Sequence, residues 1–201
     1  PIVTTQNRTI YLNASGVATI AASQINNGST DNVSISAVQL SKTLFTCSDL
    51  GNNQVVLTII DGSNNSQTGT ATVTVVDTIK PIVNTQNITL YLNGIGQATL
   101  TPAQANNGSS DNCGVSNLNL SKTLFTCADR GNNTIQLQVT DASNNSSSGS
   151  LQVSVLDTIR PNVVVNNNLT LYLNNAGTAT LTNAMVGNGS TDNCGITSQT
   201  L

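Results

Sequence analysis

The sequence predicts an all-β chain organised as a linear array of β-sandwich modules. Three observations lead there. Short segments alternate apolar and polar residues with period two, clusters of Gly, Asn and Ser punctuate them, and the whole pattern recurs every 80 residues. Pro1-Ile2-Val3 returns as Pro81-Ile82-Val83, and Tyr11-Leu12-Asn13 as Tyr91-Leu92-Asn93. The stretch from Ser41 to Cys47 returns unchanged from Ser121 to Cys127. A third copy begins at Pro161, gains one residue in the run Asn166–Asn168, and continues to Asp192-Asn193-Cys194-Gly195. The reading is therefore residues 1–80 as repeat 1, 81–160 as repeat 2 and 161–201 as the N-terminal half of repeat 3. A domain that stops halfway through its own repeat reads as a window on a longer protein, so the lack of a signal peptide or sorting signal says nothing about targeting.

Within repeat 2 the strands are expected at Ile88 to Leu92, Gln97 to Leu100, Val115 to Leu120, Thr123 to Thr126, Ile135 to Val139 and Leu151 to Val155. In Ile135-Gln136-Leu137-Gln138-Val139 every apolar side chain falls on one face, as a half-buried strand requires. About seven such strands per repeat suit an immunoglobulin-like sandwich. The helical signal is confined to Thr101-Pro102-Ala103-Gln104, where Thr can cap and Pro can open a single turn. With two Phe, three Tyr and no Trp, the cores must be aliphatic, with one Phe in each complete repeat. Thin cores of this kind make cross-links and contacts between neighbours more valuable.

Composition narrows the function. Charged residues are only 7% of the chain, the six basic residues are scattered and the formal net charge is -3, which argues against a phosphate-tracking surface for nucleic acid. His is absent, and all nine acidic residues are Asp. That removes the usual general base, leaves Ser and Thr without an activating partner, and with no glycine-rich phosphate loop points away from an enzyme. Lys42 and Lys122, in their Ser-Lys-Thr turns, read as exposed edge-protecting lysines.

The four cysteines lack metal-site spacing and read as structural. Cys113 and Cys127 flank one expected strand, and a bridge closing that ~15-residue loop would contribute on the order of 3 kcal/mol. Repeat 1 has Val33 in the corresponding position, which leaves Cys47 as a free, buried thiol, and the partner of Cys194 falls beyond Leu201. A disulfide implies an oxidising, extracellular compartment.

Several motifs recur together: Gly108-Ser109-Ser110-Asp111-Asn112-Cys113-Gly114, then Phe125-x-Cys127-x-Asp129-x-Gly131-Asn132, then Val139-Thr140-Asp141-Ala142-Ser143-Asn144-Asn145, then Val155-x-Asp157-Thr158-Ile159-Arg160-Pro161. This series resembles hyalin-type repeats, and most closely the Bacteroidetes version found in very large surface adhesins, including gliding-motility adhesins exported by the type IX secretion system. The resemblance extends over the whole chain in register; repeat 1 departs from it at Val33. It implies a cell-surface protein whose repeats act as spacers and adhesive stalks.

The nine Asp occupy four repeating positions: Asp31/Asp111/Asp192, Asp49/Asp129, Asp61/Asp141 and Asp77/Asp157. In an immunoglobulin-like sandwich the loops carrying Asp111 and Asp141 emerge at the pole where the linker Asp77-Thr78-Ile79-Lys80-Pro81 arrives. The turn of Asp49 in the preceding repeat should face that pole. Oxygens converging there suit a calcium ion, held by Asp77, Asp111 and Asp141 with Asn112, Asn144 or Asp49, and by Asp157 and Asp192 at the following joint. The competing reading is that the carboxylates only cap turns. Asp77-Thr78-Ile79 and Asp157-Thr158-Ile159 resemble the Bacteroidetes O-glycosylation pattern, which makes Thr78 and Thr158 candidate acceptors.

The leading function is a structural or adhesive stalk, acting as a semi-rigid spacer whose partners are neighbouring repeats of its own chain, a surface polysaccharide or laterally associated copies. The alternative is a lectin-like module that contacts carbohydrate through its Asn-rich loops. No direct membrane insertion is expected of this segment.

Overall fold

The computed structural model describes all 201 residues. It is almost entirely β, in tandem immunoglobulin-like modules. Contacts divide the chain into two compact units. One comprises Pro1–Asn84 with Gly108–Leu118 and Gln138–Ser148, and the other comprises Thr85–Asn107, Asn119–Leu137 and Gly149–Leu201.

In repeat 1 the elements are β1 (Arg8–Tyr11), β2 (Val17–Thr19), α1 (Ala22–Ile25), β3 (Ile35–Leu40), β4 (Leu44–Thr46), a 3-10 turn at Cys47–Asp49, β5 (Gly51–Asp61) and β6 (Ser66–Val76). Repeat 2 follows with β7 (Ile88–Tyr91), β8 (Gln97–Thr99), α2 (Pro102–Ala105), β9 (Val115–Leu120), β10 (Leu124–Thr126), a 3-10 turn at Cys127–Asp129, β11 (Gly131–Asp141) and β12 (Ser146–Leu156). Each repeat has a four-stranded sheet, β1-β6-β5-β3 or β7-β12-β11-β9, and a two-stranded one, β2-β4 or β8-β10. The first and last strands of a repeat run parallel, with Arg8 opposite Val73 and Ile88 opposite Val153.

Six strands form in each complete repeat rather than seven. The opening stretch pairs only through single bridges, Ile2 with Thr30 and Thr5 with Asn26. Between them the Ser29 hydroxyl takes the place of a ladder partner: it accepts from the Thr4 N–H at 3.0 Å and donates to the Thr4 carbonyl at 3.3 Å.

Alternation places the core as expected. In β5, Val55, Leu57 and Ile59 are fully buried, and in β6 Val73 and Val75 face them, with Phe45 of β4 closing the other side. In repeat 2, Phe125, Leu137, Val139 and Val153 are buried likewise. The two long strands form a hairpin in which Gly51 is opposite Val75 and Ile60 is opposite Ser66, and buried Val55 meets buried Ala71 near its middle.

The single turn expected at Thr101 is α2. The Thr101 hydroxyl accepts from the Gln104 N–H, and the Gln104 side chain accepts from the Thr101 N–H at 2.9 Å, a reciprocal cap with Pro102 at the first helical position. In α1 the cap position is Ala21, and only the Gln24 half of the arrangement remains.

The third copy, as far as the sequence carries it, forms α3 (Asn183–Val186) and two bridges, Asn162 with Thr191 and Val165 with Gly187. Positions corresponding to β5 and β6 are not included in it, and Leu171 and Leu173 stay exposed. No helix of the chain is long and apolar enough to cross a membrane.

Candidate functional site: the repeat joint

Where β6 ends, Asp77 begins the linker to repeat 2, and the loops around Asp111 and Asp141 close on it. A β-strand alternates its side chains, so the residue after Val76 continues the inward set, and Asp77 is only 4% exposed. Asp141 ends β11 and is 1% exposed. Carboxylate oxygens of Asp77, Asp111 and Asp141 lie within 4.8 Å of one another.

Part of each carboxylate is used locally. Asp77 Oδ1 accepts from the Ile79 N–H at 3.0 Å and from the Asn112 amide at 3.2 Å. Asp111 Oδ2 accepts from the Cys113 N–H at 2.8 Å. Asp141 Oδ1 accepts from the N–H groups of Ser143 and Asn145, and its Oδ2 accepts from the Asn145 amide. The turn-capping reading of these residues is thus correct as far as it goes. It leaves Asp77 Oδ2, Asp111 Oδ1 and Asn112 Oδ1 buried with no hydrogen-bond partner.

A buried acceptor without a partner costs roughly 1 to 3 kcal/mol, and three carboxylates this close also repel one another. A hard divalent cation answers both problems, since it takes oxygen ligands and neutralises charge. The unpartnered oxygens of Asp77 and Asp111, beside Asp141, fit such an ion. At the following joint Asn193 Oδ1 is likewise buried and unpartnered, and the Asn193 amide donates to Asp157 Oδ1 at 3.0 Å. There Asp192 Oδ1 accepts from the Cys194 N–H, as Asp111 does for Cys113.

The other sequence candidates are placed elsewhere. Asp49 does not join the carboxylate group: it is bound 2.5 Å from Lys42 Nζ and accepts from the Thr46 N–H, capping its own 3-10 turn. Asp129 does the same with Lys122 and Thr126. Each lysine also lies over a core ring, 5.0 Å from the Phe45 centroid and 5.2 Å from that of Phe125, so it fastens the turn. Asn144 sits at φ 67° in the turn, and its neighbour Asn145 is the one that reaches the joint, donating to the Asp77 carbonyl. Asp31 accepts from the Val33 N–H, while Asp61 is held by Ser63 and Asn65. Thr78 and Thr158 are exposed.

The disulfides overturn the expected pairing. Cys113 bonds to Cys47, and Cys127 bonds to Cys194, so no cysteine is free and each bridge crosses from one repeat to the next. Geometry in repeat 1 explains why a bridge within a repeat fails. Position 33 lies by the end of β5, where Gly62 N–H donates to the Ser34 carbonyl, whereas Cys47 precedes its start. Strand β5 has 11 residues. That is ~35 Å of strand between positions that a bridge needs within ~7 Å.

Two residues central to the joint were secondary or missed in the sequence reading. Asn112 donates to Asp77 and to the Asn13 carbonyl of the turn between β1 and β2, tying repeat 2 to repeat 1 at two points. Gly16, at φ +71°, sits in that turn, where a Cβ would lie 2.7 Å from Cys47 Sγ and 2.8 Å from the Asn112 carbonyl oxygen. Gly96 meets Cys127 and Asn193 in the same way. The recurrence of Gly at this register was the available signal.

Lys42 beside Asp49, aided by the Thr46 N–H, holds the Asp49 carboxyl below the usual carboxylate range, and Lys122 and Thr126 do the same for Asp129. Asn65 lowers that of Asp61, against the opposing effect of burial and a weaker push from Asp31. A carboxyl depressed in the folded state contributes stability above its unfolded pKa of about 3.9, and that contribution is lost as pH falls through the lower folded value. The melting temperature is therefore expected to fall below about pH 4, and an Asp49→Asn/Asp129→Asn double variant is expected to flatten the fall. Thermal melts from acidic to neutral pH check it; identical acid limbs would show that these pairs do not matter.

No family model matches the chain, and no curated protein is similar to it. Among solved structures it is similar to an endo-fucoidan hydrolase of glycoside hydrolase family 107, at 17% identity over 63% of this chain and 23% of that one, with a TM-score of 0.28. It is also similar to the extracellular cadherin domains 1–4 of protocadherin gamma B7, at 14% identity over 85% of this chain and 54% of that one, with a TM-score of 0.34. A third similarity is to fibronectin(III)-like modules of Clostridium thermocellum CbhA, at 14% identity over 78% of this chain and 92% of that one, with a TM-score of 0.27. The chain thus spans about a quarter of the hydrolase and about half of the protocadherin fragment. By its own strands and bridges the chain is a series of tandem all-β, immunoglobulin-like modules, carrying two disulfides of the kind formed in extracellular proteins.

Proposed function

We propose that the chain is a stalk segment of a large secreted surface adhesin of the hyalin-repeat kind, a semi-rigid spacer with no catalytic role of its own. The observation that supports this best is the joint. One place combines a disulfide from repeat to repeat, the Asn112 bridge, and three clustered carboxylates, two of which, Asp77 and Asp111, keep an unpartnered oxygen suited to a calcium ion. A chain whose chemistry is concentrated at its joints is built to control the angle between modules. Exposed Thr78 and Thr158 at the linkers are available for O-linked sugar, which would hydrate a charge-poor surface; an intact mass equal to the bare chain would refute it.

Small-angle scattering tests the spacer reading. The maximum dimension of the chain should be longest and least variable with calcium and intact disulfides, and should shorten when chelator and reductant are added together. An unchanged dimension would remove the basis for a joint-controlled stalk.

One observation favours a second reading, a carbohydrate- or surface-binding module. Tyr11 and Tyr91, equivalent residues of β1 and β7, are 62% and 61% exposed, and sugars stack on such rings. Retained glycan binding after Tyr11→Ala/Tyr91→Ala would dismiss the rings as its basis.

A further inference from the structure

We infer that the disulfides make this chain an extension-limited tether, in which tension crosses each joint through sulfur and bypasses most of the folded repeat. The inference deepens the stalk reading and stands on bond topology. Cys47 and Cys113 are 66 residues apart, and Cys127 and Cys194 are 67 apart. The first bond closes a covalent loop containing β5, β6, the linker, β7, β8 and α2. The second contains β11, β12, the next linker and α3. When the chain is pulled from its ends, nothing inside a closed loop can be drawn out while the bond holds.

Between the two loops lies only Gly114–Thr126, which is β9, the Ser121-Lys122-Thr123 turn and β10. Fully extended, this segment spans at most about 45 Å, against roughly 280 Å for an unlinked 80-residue repeat. A repeat stapled at both joints can therefore lengthen by only about a sixth of its contour. The segment is also well fastened. β9 is held against β11 and β10 against β8, Lys122 binds Asp129, and Phe125 is fully buried.

The arrangement follows from placing two cysteines at opposite ends of each repeat. One follows β4 or β10 at the exit pole, and the other precedes β9 in the entry loop. Repeat 1 holds only the exit cysteine, because Val33 stands in the entry position and is 75% exposed. Residues 1–46 therefore lie outside any loop and form the extensible end of this segment.

Single-molecule force extension of the whole chain, tethered through its two termini, tests this. Oxidised protein should lengthen only through residues 1–46, 114–126 and the last few residues, roughly 230 Å of contour, whereas reduced protein should reach about 700 Å, a threefold difference. A Cys47→Ser/Cys113→Ser variant in the oxidised state should add about 230 Å, the contour of the loop it frees. Should that variant fold poorly, reduction of the unmodified chain, which opens both loops and adds about 470 Å, supplies the readout. Equal final extension with and without reductant would overturn the tether while leaving the scattering test of the stalk untouched.

Discussion

Replacing Cys47 and Cys113 together by Ser destabilises the first joint by about 4 kcal/mol, the loop-closure entropy expected for the 66-residue separation. The effect is large because the bond closes a long loop. It should be strongest in the transition that loosens the turn between β1 and β2 from the Asp111 loop, since Cys47 Sγ lies 3.4 Å from the Asn112 carbonyl oxygen and Asn112 also holds Asn13. Urea unfolding of the oxidised chain and the double variant measures the difference. A non-reducing peptide map supplies the complementary check: the peptide containing Cys47 should travel with that containing Cys113, and Cys127 with Cys194. Recovery of a linked Cys113–Cys127 pair would refute the joint as described. A variant as stable as the parent would mean that the cross-link adds little to a joint already held by its hydrogen bonds.

The pairing also shows what could be read from sequence. Strand positions were legible because alternation at Val55, Leu57 and Ile59 reports directly on one buried face, and the α2 turn because Thr101, Pro102 and Gln104 act locally. The convergence of Asp77, Asp111 and Asp141 was legible too, because their period matched the poles of a sandwich. The disulfide was not. Cys113 and Cys127 are neighbours in sequence, but the corresponding positions of repeat 1 lie at opposite ends of β5, so proximity along the chain was a misleading guide. The missing cysteine at Val33 fits the crossed scheme as well as the enclosed one, so it could not choose between them. Asp49 misled for a different reason. Its recurrence was real, but the partner that fixes it, Lys42, recurs with it in the same turn.

Calcium is expected to raise the stability of the chain, and chelator to lower it, by an amount set by mass action. With a dissociation constant of roughly 0.1 to 1 mM, as is common in extracellular modules, 10 mM calcium would contribute about 1.4 to 2.7 kcal/mol. A melt with and without chelator measures this, but the sharper test is Asp111→Asn. The amide oxygen can still accept from the Cys113 N–H, so the loop geometry is preserved while one charge leaves the cluster. In calcium the variant should melt below the parent, because a ligand carboxylate is gone. In chelator the order should reverse, because Asp77 and Asp141 no longer face a third negative charge across less than 4.8 Å. A purely turn-capping role gives no such crossover, since a cap works equally well with and without a cation. Should the parent melt identically in calcium and in chelator, the unpartnered oxygens of Asp77, Asp111 and Asn112 would have to be satisfied by water, and rigidity at the joint would rest on the disulfide and the Asn112 bridge alone.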